Sequence, residues 1–330
     1  MRRPIYVFSG GELKRKENTL FIENDNFKRF VPVETVSEIY LFGETSLNTA
    51  LLNFLSQNEI VVHYFNYYGY YSGTIYPREH LASGEMVIKQ AKHYLELELR
   101  MILAIKFVTG AIDNIIRVLK YYSSRGKDLT KSIDKISSLR NLATEAKDTE
   151  HLMAIEGNAR EEYYSCFNSI INEQTFKYDK RTRRPPSNPI NALISFGNSM
   201  IYNSLLAEIY KTRLDPRIAF LHASNFRRFS LNLDVAEIFK PIIVDRVIFS
   251  IVDKKELVEK HFEIGTEGTM LSRSGREIFL RRYEEKLSST ISHKTLGRNI
   301  SYRRLMRMEL YKIEKHLIGD QVYTPYAAQW

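Results

Sequence analysis

Cysteine is almost absent from this chain: Cys166 is the one thiol in 330 residues. A single thiol excludes an internal disulfide and a cysteine-rich zinc site. No run of about eighteen apolar residues occurs, so no transmembrane helix is expected. The N-terminus, MRRPIYVFSGG, has positive residues but no long apolar core, being interrupted at Ser9, Gly10 and Gly11, and does not read as a signal peptide. Internal repeats and low-complexity tracts are missing as well. A cytoplasmic location is the default that these absences leave. Acids are in the minority, 39 Asp and Glu against 48 Lys and Arg, for a formal charge of +9 and a pI near 9.3. That balance favours a polyanionic partner, and nucleic acid or an anionic membrane surface would satisfy it equally.

What is present divides by period. Pro4–Phe8, Thr19–Ile22, Lys28–Val33, Glu38–Phe42 and Ile60–Phe65 are short runs rich in β-branched and aromatic residues, bounded by Gly, Asn and Asp, and read as strands. One helix interrupts them over about residues 46–57, with Leu47, Ala50, Leu51, Phe54 and Leu55 at helical spacing and Ser46 as its N-cap. The tyrosines Tyr64, Tyr67, Tyr68, Tyr70, Tyr71 and Tyr76, around Gly69 and Gly73, fit strand and hairpin packing; the sharper alternative is stacking on exposed bases. A linker over residues 77–84 changes the period. The expected organisation is a two-domain α+β chain: a small N-terminal β-domain with one helix over residues 1–76, then an all-α domain over residues 85–330.

From Glu85 to Pro185 prolines and glycines are scarce, which favours helices. Leu95, Leu99, Ile102, Ile105 and Val108 trace a buried face that Ile112, Ile115, Ile116 and Leu119 extend. Residues 123–147 are charged and polar with weak periodicity, the pattern of a partly mobile connection. After Asp148 the period returns: Leu152, Ile155, Ala159, Tyr163, Phe167 and Ile170 step by three or four. Cys166 lies beside this stripe and reads as core. Glu156 leans toward the same stripe, and an inward carboxylate needs a partner. A metal ion or a neighbouring arginine would serve.

Two further segments carry chemistry. Arg181, Arg183 and Arg184 precede Pro185 and Pro186; consecutive prolines keep a loop extended, so this is either a stiff phosphate-gripping loop or an ordinary exposed turn. AFLHASNFRRFSLNLDVAEIFKP, residues 219–241, puts His222 ahead of Asp234 and Glu237, with Arg227 and Arg228 between. The two acids are three apart and share a helix face. Ser230 is placed to cap that helix and Pro241 to follow its end. Imidazole with carboxylates suits a divalent cation, and arginines beside them suit phosphate. By spacing alone, an acidic helix face with an unrelated core histidine fits as well.

The same segment resembles the signature of the CRISPR-associated protein one family, the integrase of CRISPR adaptation. Phe220, Leu221, His222, Ser230, Leu231, Leu233, Asp234, Glu237, Phe239 and Pro241 match in order and spacing, with Ala219 for the usual glycine and Lys240 for the usual arginine. RTRRPPSNPINALISFGNSM resembles the family's arginine-proline-proline box, with Asn188 where aspartate is usual, and AIEGNAREEYYSCF resembles the helix carrying its first metal-binding glutamate, here Glu156. The β-rich N-terminal pattern is also similar. The resemblance implies insertion of short DNA fragments (prespacers) into a CRISPR array by attack of a 3′-hydroxyl on a phosphodiester. It implies Glu156, His222 and Glu237 as ligands of Mg²⁺ or Mn²⁺, and Asp234 as a further ligand or an acid that orients the others. Arg181, Arg183, Arg184, Arg227 and Arg228 are then expected on DNA phosphates. A homodimer through the β-domains, assembly with CRISPR-associated protein two, and no membrane role are implied too. A general metal-dependent nuclease acting on branched DNA and a non-catalytic DNA-binding scaffold are the rival expectations.

Overall fold

A computed structural model of the protein describes residues 2–24, 27–78, 81, 83–223, 229–266, 268–293 and 297–329. The chain divides into two compact units, Met1–Leu81 and Ala82–Trp330. The first is β-rich. Its strands are β1 (Arg3–Val7), β2 (Gly11–Lys16), β3 (Thr19–Asn24), β4 (Phe27–Pro32), β5 (Val36–Leu41), β6 (Thr45–Leu47), β7 (Val61–Phe65) and β8 (Tyr71–Ile75), with one helix, α1 (Thr49–Gln57), between β6 and β7. They form two four-stranded sheets, ordered β1-β5-β7-β8 and β4-β3-β2-β6. In the first, β1, β5 and β7 run parallel and β8 returns antiparallel from β7. Val36, Ile39, Leu41 and Val62 meet Leu13, Leu20, Leu51 and Leu55 in one apolar core, where burial is the main stabilising term.

The sequence placed five of these eight strands and the helix, missed β2 and β6, and marked β8 only as part of a tyrosine-rich hairpin. Ser46 does not cap the helix: it belongs to β6, and Asn48 accepts the capping hydrogen bond from the Leu51 amide at 2.9 Å. Asparagine serves as well as serine there. The tyrosine-rich segment is the β7–β8 hairpin, in which the Tyr64 ring lies over Gly73, leaving no room for a Cβ.

The second unit is mainly helical: α2 (Gly84–Leu95), α3 (Leu97–Ser123), α4 (Thr130–Thr144), α5 (Thr149–Ser165), α6 (Phe167–Ile170), α7 (Pro189–Ile209), α8 (Leu231–Phe239), α9 (Arg246–Asp253), α10 (Arg273–Ser288) and α11 (Tyr302–Leu317). It is not all-α. Two antiparallel hairpins, β9 (Phe262–Gly265) with β10 (Gly268–Leu271) and β11 (Thr290–His293) with β12 (Arg298–Ser301), interrupt it. Each strand has only four residues, too few for an alternating pattern to stand out. Residues 123–147 are not a loose connection either, since α4 fills most of them and buries Ile136 and Ala143.

The predicted stripe from Leu95 fails at its start. Leu95 is 78% exposed and Ile102 42% exposed, while Met101, Leu103, Ala104 and Phe107 are buried. The extended backbone at Glu96 breaks α2 from α3 and resets the helical phase. Along α5 the stripe holds: Leu152, Ile155, Ala159 and Tyr163 are all buried. Pro241 does not stop the chain's helical course. A wide π-type turn over Pro241–Asp245 leads from α8 into α9, as happens where a proline disturbs the ordinary ladder. Among the described residues, no helix is long and apolar enough to cross a membrane.

Candidate active site

Asp234 organises the histidine loop. From the first turn of α8, and fully buried, its carboxylate accepts hydrogen bonds from three successive backbone amides: Phe220 (2.6 Å), Leu221 (2.9 Å) and His222 (3.0 Å). It also meets the His222 ring at Nδ1, 2.8 Å away. Asp234 already accepts three amide N–H groups, so the Nδ1 contact is a fourth donation to it, and Nδ1 carries a proton while Nε2 lies at the far side of the ring. Arg100 holds the loop from the other side through the Phe220 carbonyl at 2.7 Å. Burial opposes charging of His222, but Asp234, followed by Glu237, outweighs it and raises the imidazole above its ordinary pKa. Ser230 stands at the N-cap position, yet its hydroxyl donates to the Arg217 carbonyl at 2.7 Å rather than closing a side-chain cap.

Glu156 and Glu237 are joined by Arg160. Its Nε donates to Glu156 at 3.2 Å, one helical turn away on α5, and its Nη2 donates to Glu237 on α8. Lys240 closes on the other Glu237 oxygen and lies 4.8 Å from the Tyr202 ring centroid. Burial works to raise the Glu237 carboxyl, but Lys240 and Arg160 together hold it far below the usual carboxylate range. Burial and the Glu237 charge push Glu156 the other way, upward. The two acids also differ in access, with Glu156 at 23% side-chain exposure and Glu237 at 6%. Glu156 is therefore the side from which an ion would reach the pair. Behind them Asp245, at the end of the wide turn, is completely buried, and burial lifts its carboxyl to about 7 against the pull of Arg160 and Tyr163.

Of the three expected metal ligands, Glu156 and Glu237 are linked through Arg160, and His222 lies near enough for the Glu237 charge to act on it. Among the described residues, no three His, Cys, Asp or Glu side chains converge closely enough to hold one ion as they stand. At Glu237, Arg160 and Lys240 occupy both carboxylate oxygens. The donor set itself fits a divalent cation: two carboxylates, and an imidazole whose far nitrogen is fixed as the open one by a carboxylate behind it. Buried cations on that pair supply the compensation such an ion would otherwise provide.

The basic residues separate. Arg181 is half-buried and holds its own loop onto α7, through Asn191 Oδ1 at 3.0 Å and Ser195 Oγ at 2.9 Å. Its guanidinium is thus bonded within the protein, on the same loop as Arg183 and Arg184. Arg183 and Arg184 are exposed, on a loop that the β9–β10 hairpin supports through the Thr269 amide on the Pro186 carbonyl at 2.8 Å. Gly268 has a φ of +101° and no space for a Cβ against Pro185. Asn188 accepts from the Asn191 amide at 3.0 Å and caps α7 as an aspartate would. Arg227 and Arg228 lie outside the described residues. The sequence reading missed Arg160, Lys240 and Asp245 as members of the cluster. The signal for Arg160 was present: it follows Glu156 by four on the same inward side of α5.

A long helical unit with two inward carboxylates, an acid-held histidine and an exposed basic loop defines a class of protein acting on a polyanion. The family model for CRISPR associated protein Cas1 matches residues 5–285, and the chain belongs to that family. It is 54% identical over 330 residues, all of both chains, to CRISPR-associated endonuclease Cas1 2 of Thermodesulfovibrio yellowstonii. It is 49% identical to CRISPR-associated endonuclease Cas1 of Thermotoga maritima, over 97% of this chain and 98% of the other. A solved Cas1 protein from Thermotoga maritima superposes with a TM-score of 0.89 at 47% identity, covering 98% of this chain and 99% of that one.

Proposed function

We propose that the chain is a metal-dependent DNA endonuclease and integrase of CRISPR adaptation, joining the 3′-hydroxyl of a short DNA fragment to a phosphodiester of the array. The observation that carries this reading is the Asp234 clamp, which holds His222 by its backbone amide and Nδ1 and so leaves the far ring nitrogen as the one a metal would take, near Glu237. Glu156, His222 and Glu237 would hold Mg²⁺ or Mn²⁺, and Asp234 orients the imidazole without binding the ion. Bound there, the ion would polarise the phosphoryl oxygen and stabilise the departing 3′-oxygen. Arg183 and Arg184 hold backbone phosphates and set the register of the duplex, carrying little sequence information. Duplex DNA, a second copy of the chain through the N-terminal units, and CRISPR-associated protein two are the partners this reading assigns, in the cytoplasm.

The test is a strand-transfer assay with a fragment bearing free 3′-hydroxyls and a plasmid carrying a leader and repeat. Covalent joints that need a divalent cation, and that Glu156→Gln, His222→Ala and Glu237→Gln each abolish, are expected. Nicks without joints would identify a general nuclease, and metal-independent binding with neither product a scaffold.

A further inference from the structure

Asp245 is a buried carboxylate that the proposed chemistry leaves unused. Neither of its oxygens nor Arg160 Nη1 meets a partner in full hydrogen-bond geometry among the described residues, and the Tyr163 hydroxyl is the one polar neighbour that favours the Asp245 charge through a side-chain contact. Arg160 and Tyr163 stand three apart on one side of α5, and they are the two groups that most favour charge on Asp245. Arg160, Tyr163 and Asp245 each act on one another's charge, which groups the three side chains behind the site. Arg160 joins the two halves: Nε and Nη2 hold Glu156 and Glu237, while Nη1 holds nothing.

An unpaired carboxylate in a protein interior is a strongly unfavourable arrangement, and so is an unmet guanidinium N–H. Both would be satisfied if Arg160 turned from Glu237 to Asp245. What drives such a turn is plain from charge. A guanidinium cannot shed its proton at any ordinary pH, so it cannot share a pair of carboxylates with a divalent cation by becoming neutral. It has to leave them, and inside the protein it can leave only toward another anion.

We propose that Arg160 is an exchangeable counter-ion, bridging Glu156 and Glu237 in the metal-free protein and moving to Asp245 when those carboxylates bind a divalent cation. This rests on the metal reading of the site given above. Asp245 is thereby a positioning residue that acts through Arg160. Tyr163 supplies a hydroxyl beside the receiving carboxylate, and Lys240 has its own alternative in the Tyr202 ring already under it.

The test is Mn²⁺ affinity of the full-length protein, measured by calorimetric titration without DNA, so that no catalytic step enters. Wild type should bind and Glu237→Gln should not. Asp245→Asn, nearly the same shape without the charge, should weaken Mn²⁺ binding by about 10-fold or more, the scale of losing an outer partner of a metal site. In the Arg160→Gln background the same Asp245→Asn change should shift affinity by less than about twofold, because the group it receives is gone. Without metal, Asp245→Asn and Asp245→Ser should melt no lower than wild type, since burial outweighs the groups that favour the Asp245 charge in that state. Equal Mn²⁺ binding by Asp245→Asn and wild type, an equal loss in both backgrounds, or a metal-free fold that collapses in both variants would each overturn the exchange. Equal binding by wild type and Glu237→Gln would overturn the metal reading itself, and the exchange with it.

Discussion

Arginine does opposite work in two parts of the helical unit. On the double-proline loop, Arg183 and Arg184 stand in solvent, where their charge is available to a polyanion and screened by salt. In the cluster between α5 and α8, Arg160 is 8% exposed and closed on two carboxylates. On the proposed reading the loop would offer affinity without chemistry, and the cluster chemistry with almost no open positive charge. Altering one should therefore leave the other's contribution nearly intact.

The largest effect is expected from Glu237→Gln. Strand transfer should fall to background while DNA affinity stays within about twofold, because affinity comes from distributed cations. A matching loss of DNA binding, in a filter-binding titration, would collapse the distinction between the two regions.

A buried ion pair away from both regions serves as a structural control. Glu208 on α7 meets Arg307 at 2.6 Å and Lys211 at 2.9 Å. Burial opposes its ionisation, yet Lys211 and Arg307 win and lower its pKa from 4.5 to about 2. Its stabilisation is complete above the unfolded value near 4.5 and is lost as pH falls through about 2. The contribution at neutral pH is on the order of 3 kcal/mol. Glu208→Gln should lower stability by up to that much at pH 7, with the two proteins converging toward pH 2 in denaturant melts, and without changing the metal requirement of the remaining folded protein.

Asp234→Asn should weaken metal binding and strand transfer by about 10 to 100-fold, partly recovered at raised Mn²⁺, as expected for an acid that orients a ligand. Equally dead Asp234→Asn and Glu237→Gln proteins at every Mn²⁺ concentration would make Asp234 a ligand. The smallest change belongs to the loop: each of Arg183→Ala and Arg184→Ala should reduce the logarithmic salt slope of DNA binding by about 0.9 and leave strand transfer per bound complex unchanged. Arg181→Ala should instead loosen the loop, since its guanidinium is bonded to Asn191 and Ser195.

The strand-rich beginning, the α5 stripe and the positions of Glu156, His222, Asp234 and Glu237 were legible because each follows a simple period or a recognisable motif. Less legible were features that depend on contacts remote in sequence. The phase of α3 was lost at Glu96, where nothing local announces the break. The segment IIVDRVIF reads as an apolar helix with one acid, and only the packing of α3, α7, α8 and α10 around it makes Asp245 a buried charge near Arg160. The last residues look irregular and are, yet they are held: Asn114 on α3 bonds the Tyr326 carbonyl at 3.0 Å, the Ala328 amide at 2.9 Å and the Ile238 carbonyl on α8 at 2.9 Å. Three partners more than 120 positions away along the chain leave no trace in a local pattern.

The most direct measurement is pulsed electron paramagnetic resonance of Mn²⁺ bound to the full-length protein carrying ¹⁵N-labelled histidine. The account predicts a nitrogen coupling from one directly bound imidazole in the wild type and its loss in His222→Ala. No histidine nitrogen on the ion in the wild type, or an unchanged coupling in His222→Ala, would contradict the assignment of this cluster as the metal centre.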